Sequence, residues 1–208
     1  VAVRVPDHPV ALALIEAAGV PVAAPSANRS GRPSPTRAAH VATDFPELLV
    51  LDGGAARHGL ESPVVSLGDP PRVLRLGAIP VEELRAVLPG VVVATKARAS
   101  AESPGMRHRH YAPARPLVLF RRSRADALRQ ALSADPKALL LCADADAPLF
   151  PGRRPVRLGA TPAEIAHGLF DALRTERRGG LLLAYALPRR GLPRGGIDRL
   201  GRAATRVG

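Results

Sequence analysis

Between Leu117 and Ala204, apolar runs of strand length alternate with segments of helical pattern: Leu117–Phe120, Ser123–Ser133, Ala138–Cys142, Pro162–Arg174, Leu181–Ala186 and Gly195–Ala204. Strands that are apolar without interruption are buried on both faces, and parallel neighbours need a crossover helix to return the chain. The alternation therefore predicts a parallel α/β domain over residues 116–208, wound right-handed. Cys142 sits inside one of these runs, Ala138-Leu-Leu-Leu-Cys142, and reads as a buried structural thiol. As the only cysteine of 208 residues, it rules out an intrachain disulfide framework or a cysteine-cluster metal site.

Residues 1–90 are less regular. Val1–Val5 alternates like a strand and opens without methionine or a preceding cap, so the chain reads as cut from a longer polypeptide. Asp7 is placed to cap a helix with Pro9 in its first turn and Gly19 at its stop. Val20–Ala24 and Leu48–Leu51 read as strands, and Val64–Leu67 with Arg72–Leu76 as a hairpin around Gly68–Pro71. A helix is expected from Thr36 to Thr43, capped by Ser34 with Pro35 leading it, and another from Pro80 to Leu88. Residues 91–115 change composition and read as a linker.

Two segments have no periodicity and crowd polar groups between prolines and glycines: Pro25-Ser-Ala-Asn-Arg-Ser-Gly-Arg-Pro-Ser-Pro35 and Ser103-Pro-Gly-Met-Arg-His-Arg-His-Tyr-Ala-Pro113. The first offers the hydroxyls of Ser26, Ser30 and Ser34 and the Asn28 amide in a loop leading into a helix N-terminus, where backbone N–H groups favour an anion. The same residues are also ordinary turn and cap formers. Neither a Walker loop nor a Gly-x-Gly-x-x-Gly fingerprint is present, so a nucleotide site must be built by other means. His108 and His110 have no third ligand near them in sequence, and no metal site is expected.

The net charge of +12 is uneven. Lys plus Arg against Asp plus Glu is 8 to 9 in residues 1–90, 5 to 1 in 91–115 and 17 to 8 in 116–208. The basic C-terminal half offers a surface for the phosphates of nucleotides or nucleic acid, or is a solvated face, and aromatic residues, the usual stacking platforms, are only 3% of the chain. With no apolar run of bilayer length and no leader pattern, the expected location is cytoplasmic, without membrane contact.

The two polar segments, together with Val3-Arg-Val-Pro-Asp-His8, Leu60-Glu-Ser62, Val73-Leu-Arg75 with Gly77, Gly191-Leu192 and Asp198-Arg-Leu200, resemble in order and spacing the two-domain YrdC-type L-threonylcarbamoyl-AMP synthases. The resemblance implies that residues 1–90 are the C-terminal half of a YrdC-like twisted α/β domain. Residues 91–115 are then an interdomain linker, and residues 116–208 a small Rossmann-like α/β domain. It further implies ATP contacts at Ser26, Asn28, Ser34, Arg75 and Tyr111, and threonine contacts at Arg4, Ala24 and Ser62. Substrates would be L-threonine, bicarbonate and ATP carrying Mg, and the product would pass to a threonylcarbamoyl transfer machinery acting on tRNA. No side-chain nucleophile is required. The family's N-terminal half of the catalytic domain is expected to lie before Val1, which would leave these residues an incomplete, inactive piece.

Two positions depart from the family pattern. Pro63 replaces a threonine after Glu61-Ser62, removing a hydroxyl and a backbone N–H beside the threonine pocket, and Leu76 replaces a proline after Arg75. A YrdC-like protein that adenylates carbamoyl phosphate, and a basic RNA-binding module without catalysis, remain open as alternative readings.

Overall fold

A computed structural model describes residues 1–95, 112–174, 180–186 and 194–207, without the side chains of 194–198 and 207. The fold is mixed α/β, with one three-stranded and one five-stranded sheet. In chain order, α1 is Pro9–Ala18, α2 Ala38–Asp44, β1 Val64–Ser66, β2 Arg72–Arg75, α3 Val81–Val87 and β3 Val92–Val93. They are followed by β4 Leu117–Phe120, α4 Ala125–Ala134, β5 Leu139–Cys142, β6 Val156–Arg157, α5 Pro162–Leu173, β7 Leu182–Tyr185, α6 Arg194–Ala203 and β8 Arg206–Val207.

The larger sheet is parallel throughout, in the order β6-β5-β7-β4-β8. Its strands divide their side chains between two cores, as the period of two requires. Leu117, Leu141, Leu182 and Ala184 pack with Ile165, Leu169 and Phe170 of α5 and with Leu200 and Ala203 of α6. Phe120, Leu140, Cys142, Leu183 and Tyr185 face the other way, onto Leu128 and Leu132 of α4. Each fully buried Leu or Phe contributes about 1.5–3 kcal/mol. Helix α5 starts where Pro162 predicts, on a capping box in which Thr161 Oγ1 accepts from the Glu164 N–H and Glu164 Oε2 accepts from the Thr161 N–H. Those backbone bonds hold the Glu164 carboxyl below its ordinary value.

The smaller sheet is the expected hairpin, β1 antiparallel to β2, with β3 added parallel to β2. Val92–Val93 thus forms a strand inside the segment expected to be linker. A small core of Val73, Val81 and Val91 lies beneath this sheet.

Several expectations for the first 51 residues fail. Val1–Val5, Val20–Ala24 and Leu48–Leu51 form no strands, and Val3, Val20, Val22, Leu48, Leu49 and Leu51 are exposed. A strand exists only within a ladder, and among the described residues nothing pairs with these. Asp7 does not cap α1: His8 occupies the N-cap without a side-chain capping bond, its Nε2 lying 3.0 Å from the Gly53 carbonyl, while Asp7 pairs with Arg57. Gly19 closes α1 in the left-handed conformation, as its position implies. Among the described residues no helix is long and apolar enough to cross a membrane.

Candidate functional site

The loop over residues 25–35 folds on itself. The Asn28 N–H donates to the Ser26 carbonyl at 2.9 Å, and Gly31 takes a positive φ of 82° that lets the chain reverse. Both protons of the Asn28 side-chain amide are spent inside the loop, on the carbonyls of Arg29 at 2.9 Å and Arg32 at 3.2 Å. Asn28 is therefore first a staple of the loop. Its Oδ1 is buried and finds no partner among the described residues, an unmet acceptor that costs about 1–3 kcal/mol.

Ser34 does not cap a helix. Helix α2 begins at Ala38 with Arg37 as N-cap and is 7 residues long, so the expected helix-terminal anion site is not formed beside Ser34. The Ser34 hydroxyl donates instead to Glu61 Oε1 at 2.6 Å. The backbone of Thr36 is engaged elsewhere, its carbonyl accepting from the Ala56 N–H at 2.8 Å and its N–H donating to His40 Nδ1 at 3.2 Å, and the helix starts only after it.

Glu61, Ser62 and Pro63 run alongside the end of β2. The Ala78 N–H donates to the Glu61 carbonyl at 2.9 Å, and Arg75 Nη2 donates to the Ser62 carbonyl at 3.1 Å. Gly77 makes the approach possible: a Cβ there would stand 2.2 Å from Pro63 N and 2.3 Å from the Ser62 carbonyl carbon. Ser34, Ser62 and Arg75 are thereby brought to one place through Glu61. Ser26 lies in the loop held by Asn28, whereas Arg4 and Ala24 lie on exposed chain without regular structure. Tyr111, with His108 and His110, falls outside the described residues. Its neighbour Ala112 donates its N–H to the Gly31 carbonyl at 2.8 Å, so the end of the linker motif is tied to the loop.

Residues that sequence reasoning did not single out complete the frame. Asp44 is fully buried and accepts from the Arg29 N–H at 3.3 Å, Arg32 Nη1 at 3.1 Å and Arg174 Nη2 at 2.7 Å. Arg174, at the end of α5, also donates to the carbonyls of Pro33 at 2.9 Å and His40 at 3.3 Å. Arg199 on α6 is 1% exposed and donates to Glu61 Oε2 at 3.1 Å and to the Leu76 carbonyl at 2.8 Å. Helix α5 thus reaches the loop directly, through Arg174 at Pro33, and α6 reaches it through Glu61, the partner of Ser34. Arg199 lies in the sequence match Asp198-Arg-Leu200, which was its only signal, and Arg174 had none.

Guanidinium groups outnumber carboxylates here: Arg32 and Arg174 bond the Asp44 carboxylate and Arg199 that of Glu61, while Arg29 and Arg75 bond the carbonyls of Asp44 and Ser62. The surplus of positive charge suits an anionic ligand. Among the described residues no group of three His, Cys, Asp or Glu side chains comes together to hold a metal.

The chain is similar to known proteins along nearly its whole length. Residues 79–205 match the family model for the threonylcarbamoyl-AMP synthase C-terminal domain, and residues 1–77 match the model for Sua5, YciO and YrdC proteins, described as telomere recombination. The chain is 38% identical to the threonylcarbamoyl-AMP synthase of Pyrococcus abyssi over 223 aligned residues, covering 98% of this chain and 64% of that protein. To the threonylcarbamoyl-AMP synthase of Bacillus subtilis it is 39% identical, covering 98% of this chain and 63% of the relative. The chain therefore spans somewhat less than two thirds of these relatives. The crystal structure of P. abyssi Sua5 complexed with L-threonine superposes with a TM-score of 0.80 at 34% identity, over 97% of this chain and 63% of that one.

Proposed function

Since this chain belongs to the threonylcarbamoyl-AMP synthase family, we propose that it serves the formation of L-threonylcarbamoyl-AMP and pyrophosphate from L-threonine, bicarbonate and ATP, for threonylcarbamoyladenosine in tRNA. One observation carries the reading. Ser34 meets Ser62 and Arg75 through Glu61, and its loop is tied to Ala112 by the bond to the Gly31 carbonyl.

The chemistry asks for positioning and charge neutralisation rather than a protein nucleophile. A carbamate oxygen of N-carboxy-threonine attacks the α-phosphorus, an O–P bond forms, the bond to the β-phosphate oxygen breaks, and pyrophosphate leaves. Mg enters with ATP as the substrate complex, its ligands the phosphate oxygens, since hard oxygen donors suit it. Arg75 neutralises charge on the nucleotide, Ser26, Asn28, Ser34 and Tyr111 hold it, and Arg4, Ala24 and Ser62 receive threonine. Pro63 has no N–H to offer threonine, which leaves the Ser62 hydroxyl to act at that point. In this reading residues 1–90 are a YrdC-like unit, 91–115 an interdomain linker, and 116–208 a Rossmann-like unit. The labile product passes to a transfer machinery that places it on tRNA.

The test is pyrophosphate release by the natural gene product containing these residues, with threonine and bicarbonate each omitted in turn. Release that needs both supports the proposal, and release indifferent to threonine defeats it.

A further inference from the structure

The bond between Ser34 and Glu61 fixes the polarity of the hydroxyl. With its proton committed to Glu61 Oε1 at 2.6 Å, Ser34 turns only lone pairs toward a ligand, as an acceptor. A phosphate oxygen is itself an acceptor and gains nothing from such a hydroxyl, while the nearby carboxylate repels it. Groups that donate are the ribose hydroxyls and the adenine amino group. Glu61 is kept in this role by Arg199, whose Nε holds Oε2 at 3.1 Å while its Nη2 is anchored on the Leu76 carbonyl at 2.8 Å. At 1% exposed, the guanidinium has little freedom to leave.

We propose that Glu61 and Arg199 are positioning residues: together they hold Ser34 as a hydrogen-bond acceptor, so that the loop reads the nucleoside part of ATP rather than its phosphates. The proposal rests on the nucleotide reading above and sharpens it. It gives the helix α6 of the larger sheet a part in nucleotide selection, through Arg199.

The experiment compares the affinities of ATP, adenosine and inorganic tripolyphosphate by calorimetry for the parent chain, Glu61→Gln, Arg199→Lys and Arg199→Met. In Glu61→Gln, ATP and adenosine are expected to weaken by about tenfold, the scale of a lost charge-assisted bond, while tripolyphosphate holds within about twofold. Arg199→Lys keeps the charge and should fall between the parent and Arg199→Met. Should Arg199→Met fail to fold, Glu61→Gln still decides the matter, because its partner Glu61 lies nearer the surface at 18% exposed. Equal weakening of ATP and tripolyphosphate, or no change in either, overturns the proposal. A parent chain that binds tripolyphosphate as tightly as ATP also overturns it. If the parent binds none of the three probes, the nucleotide reading beneath it falls instead.

Discussion

Arg174 Nη2 lies 2.7 Å from Asp44 Oδ2, joining two residues 130 positions apart, with the Asp44 side chain fully buried and that of Arg174 only 7% exposed. A buried pair of this kind costs much to desolvate, and removing one partner strands the other. Arg174→Ala and Asp44→Asn should each cost about 3–5 kcal/mol of unfolding free energy, measured by urea denaturation. The double variant Asp44→Asn with Arg174→Met should recover part of the loss. Single losses below about 1 kcal/mol would mean that the pair is dispensable. Burial alone would raise the Asp44 carboxyl, but the Arg174 bond and charge, the Arg29 N–H and the Arg32 charge outweigh it and hold the group below its ordinary value. The stabilisation is therefore complete above the unfolded value near 3.9 and disappears as pH falls through the folded one.

His40 gives a second pH dependence at milder acidity. Burial, then the charge of Arg174 and less that of Arg37, push its pKa below 6.5, while Asp171 and Asp44 oppose the shift. Its Nδ1 accepts from the Thr36 N–H at 3.2 Å, so Nε2 carries the proton and faces Asp171 Oδ1 at 3.4 Å. Because the fold prefers the neutral ring, stability is full above the unfolded pKa and declines as pH falls below about 6.5. Melting temperatures between about pH 5 and 8 should show this slope in the parent and a flatter one in His40→Gln. Identical slopes would assign the acid sensitivity to other groups.

Cys142 should be inert in the folded protein. Burial, followed by the charges of Asp146 and Asp144, raises the thiol to about 11, and the side chain is fully enclosed in the sheet. At pH near 8 almost none of it is thiolate. A chromogenic thiol reagent should react only in denaturant, at the rate of unfolding; prompt reaction with the native chain would show that β5 opens locally.

The larger sheet was legible because its strands carry their own evidence. Leu139 to Cys142 and Leu182 to Tyr185 are apolar on both faces, and Thr161 with Glu164 marks a helix start. Strands β6 and β8, each 2 residues at a sheet edge, have too little length for any period to appear. The strands expected in residues 1–51 had the right pattern but no pairing partner among the described residues, and pattern cannot supply one. At the site, Ser34 and Arg75 were visible as polar residues in short motifs. Asp44 was not, because a Thr-Asp-Phe helix end looks like a solvated terminus until Arg174 arrives from α5. Glu61 stood within the Leu60-Glu-Ser62 match, yet its bond to Ser34 joins residues 27 positions apart, which no local pattern announces.

Gly77 links packing to the site and yields a prediction of opposite kind. The backbone of Glu61 to Pro63 leaves no room for a Cβ, so Gly77→Ala must push that segment away by more than a side-chain adjustment. Overpacking of this order costs about 1–3 kcal/mol, and here the displaced atoms include the Ser62 carbonyl that Arg75 grips. Denaturation should report the stability loss and calorimetry a parallel loss of threonine affinity. Full threonine affinity in a destabilised Gly77→Ala would separate Ser62 from the threonine pocket.

Arg75 is the residue whose substitution should bear most directly on ATP. It is half-buried at the end of β2, and its Nη2 bond to the Ser62 carbonyl holds the guanidinium in a fixed direction. A phosphate gripped by such a group gains a charge-assisted bond, so Arg75→Ala should weaken ATP by about 1.5–3 kcal/mol, or about 10- to 150-fold. Arg75→Lys keeps the charge but loses the planar fork, and should recover only part of that affinity. Threonine should be affected less, since the proposed reading gives its contact to the Ser62 hydroxyl and not to the carbonyl that Arg75 holds. Calorimetry with each substrate separates the cases. Equal losses for ATP and threonine would make Arg75 a structural support of the Ser62 segment, and unchanged ATP affinity in a folded variant would remove it from the nucleotide site.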